Sequence, residues 1–153
     1  MSQTVDSRLE ALGVTLPTPA APAANYVPFV KTGNQLFISG QLPMNADGIQ
    51  HVGKVGADIS VDGGQAAAKL CAINLLAQAR AATGDLEKVR LVKLVGFVNS
   101  TPDFTEQPKV INGASDFMVE VLGDKGCHAR SAVSAGSLPF GVAVEIEAIF
   151  EVE

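Results

Sequence analysis

Arg130 and Glu145 are the two side chains here whose type and setting suggest chemistry. Arg130 lies in Cys127-His-Ala-Arg-Ser-Ala-Val133, among small residues rather than acids. An arginine entering a strand is often no more than an exposed strand-end charge. The sharper reading is a planar guanidinium fork for a carboxylate ligand, a geometry that arginine supplies and lysine does not. Glu145 and Glu147 alternate along one strand and share a face, about 7 Å apart. Glu147, Glu151 and Glu153 read as a solvated face, while Glu145 stands nearest the preceding turn. Other chemistries lack material. Only two histidines are present, His51 and His128, with no clustered partners, so no metal site is expected. Cys127 beside His128 invites a thiolate–imidazole pair, but neighbours in an extended segment point to opposite sides. Asp62-Gly-Gly is followed by no lysine-serine/threonine, and neither a Gly-x-Ser-x-Gly nor a dinucleotide-binding glycine pattern occurs.

Hydrophobic periodicity indicates the elements that must position these groups. A short helix is expected over 6–12, with Val5, Leu9 and Leu12 on one face and Gly13 at its stop. Pro17, Pro19 and Pro22 mark an extended segment. Strand-like runs at 26–32 and 35–40 flank Gly33-Asn34, a two-residue turn, and so form a hairpin. The stretch 43–62 reads as a long surface loop. An alanine-rich helix covers 64–83 and ends at Gly84. A strand follows at 89–98, apolar on both faces, and then a loop over 102–108. A second helix covers 109–122, with Val110, Ala114, Phe117 and Val121 in one stripe. Residues 129–137 and 142–153 are expected to form a second hairpin around Leu138-Pro-Phe-Gly141. The order ββ-α-β-α-ββ implies an α+β fold, a mixed β-sheet with two helices on one face. Strand 89–98 would then show either Val89, Leu91, Val95 and Phe97 or Val92, Leu94 and Val98 on the uncovered side. A bare apolar face of that size implies a homo-oligomer.

The 153 residues suit one domain. A net charge of −5, with eleven scattered basic residues, argues against nucleic acid as a partner. No apolar stretch approaches membrane-spanning length, and 1–22 lacks the basic start and apolar run of a secretory signal. Cys71 and Cys127 have no metal-type spacing, and Cys71 sits in a helical, alanine-rich run. A reducing, cytoplasmic location is expected.

Ser39-Gly-Gln-Leu-Pro43, Ala129-Arg-Ser131, Leu138-Pro139 and Val144-Glu-Ile-Glu-Ala-Ile149 resemble the signature blocks of the RidA/YjgF enamine/imine deaminases, also known as endoribonuclease L-PSP or translation inhibitors. The resemblance runs from Tyr26 to the C-terminus, leaving 1–25 as an N-terminal extension and 26–153 as the domain. It implies a chorismate-mutase-like protomer, a homotrimer with a central barrel, and clefts at the subunit interfaces. It further implies hydrolysis of small 2-enamine or 2-imine carboxylates to 2-keto acids and ammonia, with no cofactor. By the same resemblance Arg130 grips the substrate carboxylate and Glu145 handles the attacking water. Tyr26 lines the cleft, Asn112 is a polar position on the second helix, and Ser39 and Gly40 offer hydroxyl and backbone contacts. Ala132 stands where a cysteine is common, with a backbone N–H available to the substrate. The loop between Phe104 and Asn112 is longer than usual, which marks a divergent subgroup. Within the expected second hairpin, Glu145 would lie opposite residue 134, roughly 13 Å along from Arg130. The pair would therefore have to meet across a subunit interface. Three other readings remain: a carboxylate-binding protein without turnover, an RNA-cleaving protein opposed by the acidic charge, and a structural oligomer with no use for Arg130.

Overall fold

Local sequence sets most element boundaries. In the computed structural model of the chain the described residues are 3–19 and 25–153. Thr4 caps helix α1, Val5–Ala11, by accepting from the Ser7 N–H, and the Ser7 hydroxyl accepts from the Thr4 N–H in return. Val5 and Leu9 are buried, but Leu12 ends the helix and stays exposed, so the apolar face is shorter than expected. Gly13, at φ +71°, turns the chain out of the helix, and Leu16 returns to the core. The end of the expected proline-rich extended segment, 20–22, lies outside the described residues.

Strands β1, Phe29–Thr32, and β2, Gln35–Gln41, form the expected hairpin around Gly33-Asn34, with Gly33 at φ +59°. The expected long loop contains a second, very short hairpin of β3, Met44–Asn45, and β4, Gly48–Ile49. Two residues per strand are too few to leave a period in the sequence. Helix α2, Val61–Thr83, starts earlier than its apolar pattern because Ser60 caps it, accepting from the Gly63 N–H. Strand β5, Val89–Asn99, leads to helix α3, Gln107–Leu122, which opens with Pro108 in its first turn. The chain ends in β6, Ala129–Ala135, and β7, Val144–Val152.

The five long strands make one mixed sheet in the order β1-β2-β7-β5-β6. The fold class is the expected α+β, but the expected hairpin of the last two strands is not present. β5 lies between them, antiparallel to β7 and parallel to β6. The reason is burial. Val144, Ile146 and Phe150 of β7 and Leu91, Leu94 and Val98 of β5 are fully buried, so these two strands take the centre. β6 reads Ala-Arg-Ser-Ala-Val-Ser-Ala and has too little bulk to compete, so it takes the edge.

Helices α2 and α3 cover one face of the sheet, and the core lies between the layers. Neither alternating set of β5 wins the open face. A bulge between Leu91 and Lys93 resets the alternation, giving Val92, Val95 and Phe97 to the open side and Leu91, Leu94 and Val98 to the helices. Val30, Phe37 and Val133 add to that open face, at 54, 41 and 45% exposure. No helix among the described residues is long and apolar enough to cross a membrane.

Two glycines set the position of α3. A Cβ on Gly96 of β5 would lie 2.5 Å from Ile111 Cδ1, and one on Gly113 would lie 2.2 Å from the Gln65 backbone oxygen of α2. The backbone of α2 has no room to yield there. Gly113→Ala is therefore expected to cost about 2 kcal/mol through overpacking, lowering Tm by about 6 °C for a domain of this size. Gly136→Ala, where the added carbon meets nothing within 4 Å, serves as the control. Equal melting temperatures for the two variants would refute the close helix crossing.

Candidate functional site

Arg130 projects from the edge strand toward the helical layer. Its partner across the ladder, Leu94, is fully buried under the helices, which fixes the face. One terminal nitrogen, Nη1, donates to Ser115 Oγ at 3.1 Å, and the other, Nη2, donates to the Pro108 carbonyl at 3.3 Å. A guanidinium has five N–H groups, so two are anchored on α3 and three remain for a ligand. The ion pairs among the described residues join Lys109 to Glu106 and Lys125 to Glu153, and neither occupies Arg130. Asn112 is half-buried one helical turn before Ser115, on the same flank of α3. Ala132 sits two residues along from Arg130 on the same face and packs partly against the core, so its side chain contributes shape alone.

Glu145 belongs to the other face. It lies on the central strand between Val144 and Ile146, both fully buried on the helix side, and so points to the open side. Gly40 lies directly against it. A Cβ there would be 2.9 Å from Glu145 Cδ and 3.0 Å from Oε1. Gly40 is part of a bulge in β2, where the register to β7 shifts between Ile38 and Gln41. The Ser39 N–H donates to the Pro28 carbonyl at 2.9 Å and its hydroxyl to the Val27 carbonyl at 3.3 Å. These bonds tie the segment carrying the exposed Tyr26 to the bulge. Burial raises the Glu145 carboxyl above its ordinary range, and the like charge of Glu147 raises it further. Burial also pushes the Cys71 thiol well up, with the Glu145 charge adding to the effect, so that thiol is inert.

The candidate residues thus sort into two groups. Arg130, Asn112 and Ala132 gather near α3, while Glu145, Gly40, Ser39 and the Tyr26 segment gather around the β2 bulge. Through the ladder, Arg130 is level with Leu94 and then with Ala148 of β7, three residues from Glu145. Two strand spacings and three residues amount to about 14 Å, and the side chains leave opposite faces. The expected separation holds, although the hairpin geometry from which it was inferred does not. Sequence reading missed Ser115, the Pro108 carbonyl and His128, whose Nε2 lies 2.9 Å from Ser115 Oγ. Two signals were available: Ser115 is three residues after Asn112 on a helix, and His128 is two before Arg130 on the same side of an extended segment.

A family model described as "YjgF/chorismate_mutase-like, putative endoribonuclease" matches residues 6–150. The chain belongs to the RidA/YjgF family. Among RidA/YjgF-related proteins, it is 52% identical to Protein TCP17 of Trypanosoma cruzi over 149 residues, 96% of this chain and 93% of the relative. It is 34% identical to the 2-iminobutanoate/2-iminopropanoate deaminase of Escherichia coli over 138 residues, 88% of this chain and 94% of the relative. A crystal structure of a protein of unknown function from Agrobacterium tumefaciens superposes with a TM-score of 0.91 at 54% identity, covering 97% of this chain and 92% of that one. The RidA/YjgF match starts within α1, so it includes most of the segment before Tyr26.

The environment of Glu145 has a measurable consequence. A carboxyl raised in the folded state favours folding most at pH values below its unfolded pKa, and that contribution is lost as pH rises through the folded value. Glu145→Gln, which cannot ionise, should therefore melt higher than the parent protein at neutral pH and no higher in acid. Glu147→Gln should lower the Glu145 titration midpoint followed by carboxyl NMR. A midpoint unmoved by Glu147→Gln would refute the like-charge effect.

Proposed function

We propose that the protein hydrolyses small 2-imine and 2-enamine carboxylates to 2-keto acids and ammonia, in clefts formed between copies of a homotrimer. The observation that carries this reading is the Arg130 guanidinium, held on its inner side by Ser115 and the Pro108 carbonyl and left with three N–H groups for an anion. A carboxylate uses two of these in parallel, charge-assisted bonds. The E. coli relative is named for deamination of 2-iminobutanoate and 2-iminopropanoate, which are small carboxylates of this class.

In this reading an enamine first tautomerises to its imine. Arg130 holds the carboxylate, aided by the backbone N–H near Ala132 and by that near Gly40 of an adjacent copy, and Asn112 and the Tyr26 segment of that adjacent copy border the cleft. Glu145 of an adjacent copy orients a water and takes its proton as the oxygen adds to the C=N carbon. Glu145 returns that proton to the nitrogen of the tetrahedral carbinolamine, whose C–N bond breaks to release ammonia as the hydroxyl loses its proton and the C=O bond forms. Imine hydrolysis proceeds in plain water, so modest positioning and proton transfer suffice and no cofactor is required. Opposite faces within one chain and the exposed Val30, Phe37 and Val133 both support closure by a neighbouring copy. The free thiols of Cys71 and Cys127 suit the reducing cytoplasm. RNA cleavage has weaker support, since the chain carries a net charge of −5.

Three measurements test the reading. Arg130→Ala should stay folded and lose about a hundredfold in kcat/KM for freshly generated 2-iminopropionate, the effect of removing about 3 kcal/mol of charged hydrogen bonding. Unchanged turnover in that variant would end the mechanism. Binding of pyruvate by the parent protein without ammonia release above the uncatalysed rate would mean a carboxylate-binding protein instead. Light scattering should give the mass of three chains, and a folded species of 15.8 kDa at micromolar concentration would exclude shared clefts.

A further inference from the structure

We infer that His128, acting through Ser115, is a positioning residue that fixes the direction in which Arg130 offers its free N–H groups. The inference rests on the proposed role of Arg130 as the carboxylate anchor and adds what holds that anchor in place.

His128 Nδ1 is within hydrogen-bond distance of the Gly126 carbonyl oxygen, which can only accept, so Nδ1 carries the hydrogen. With the ring neutral, the lone pair is on Nε2, and Nε2 faces Ser115 Oγ at 2.9 Å. The Ser115 hydroxyl must therefore donate to His128. Its oxygen then presents only lone pairs to its other neighbour, Arg130 Nη1, at 3.1 Å. Every bond in the chain has one sense: Arg130 N–H to Ser115 O–H to His128 N–H to the Gly126 carbonyl.

The far end of this chain is rigid. Gly126 is buried, and a Cβ on it would lie 2.4 Å from the Met118 backbone oxygen of α3. The anchor is thus pressed against the same helix that carries Ser115 and Pro108. His128 and Arg130 are two residues apart on one side of an extended segment, so strand and helix clamp the guanidinium between them. A serine hydroxyl without a partner on its far side turns freely, and in one rotamer its hydrogen opposes the arginine N–H. Arginine has a long, rotamer-rich side chain, so that opposition releases the fork from the orientation a carboxylate needs. His128 removes this alternative. Neither His128 nor Ser115 needs to touch the reacting atoms.

The test compares His128→Phe, which keeps bulk without an acceptor, with His128→Gln, whose amide oxygen accepts from Ser115. His128→Phe should raise KM for 2-iminopropionate about tenfold with kcat within about twofold, the effect of one lost supporting bond. His128→Gln should restore most of the affinity. Ser115→Ala should match His128→Phe, and the double variant Ser115→Ala/His128→Phe should be no worse than Ser115→Ala alone. An unchanged KM in His128→Phe, or equal losses in the Gln and Phe variants, would overturn the inference in favour of simple packing. Long-range proton–nitrogen NMR of the intact protein gives a readout independent of turnover. The Nδ1–H tautomer of His128 supports the chain of bonds and the Nε2–H tautomer overturns it. Should the parent protein show no turnover, the deaminase reading fails separately, and the same variants are compared by calorimetric pyruvate affinity. Absence of pyruvate binding by the parent protein would leave Arg130 with nothing to position and would overturn the inference as well.

Discussion

One sheet has two faces, and the chain divides its reactive side chains between them. Arg130 leaves the edge strand on the side of the helices, whereas Glu145 leaves the central strand on the open side. No side-chain rotation brings such groups together, because the sheet itself lies between them. The proposed chemistry follows from this: each copy would hold two incomplete halves, and a working cleft would take one half from each of two copies. The same division explains why Arg130 and Glu145 have such different surroundings. The arginine is held by neutral oxygens, while the glutamate is crowded by a glycine bulge and by a second carboxylate.

The open face would give copies of the chain a reason to meet, as the proposed homotrimer requires. Val30, Phe37, Val92, Val95, Phe97 and Val133 lie on it, and a patch of this kind is unusual on a protein that works alone. Interspersed among them are Glu145, Glu147 and Glu151, which would resist indiscriminate stacking of like faces. In the proposed homotrimer, apolar area would supply the association and the carboxylates would restrict its geometry.

Much of the fold was legible because local chemistry decided it. Gly33-Asn34 specified the first hairpin, and the apolar stripes of α2 and α3 specified two helices and the face they bury. The order of the last strands was not legible. Leu138-Pro-Phe-Gly141 resembles a hairpin turn, yet strand order is decided by which strands must be buried on both sides, a property of the whole sheet. The β5 bulge was hidden for a related reason, since an extra residue in a strand is seen only against its partner. In the site, Arg130 and Glu145 stood out by type. Ser115 did not, because its one signal, a place one turn after Asn112 on the helix, gains weight only once the residue it contacts is known.

The close crossing at Gly113 links distant parts of the molecule. Gly113 touches the α2 backbone at Gln65, and Ser115 follows two residues later on the same stiff rod. The height and rotation of that rod over the sheet determine where the hydroxyl of Ser115 sits. Residues on the first turns of α2 thereby act as a lever on the guanidinium. Under the proposed function, substitutions along that helix contact would tune substrate affinity while leaving Arg130 and Glu145 untouched.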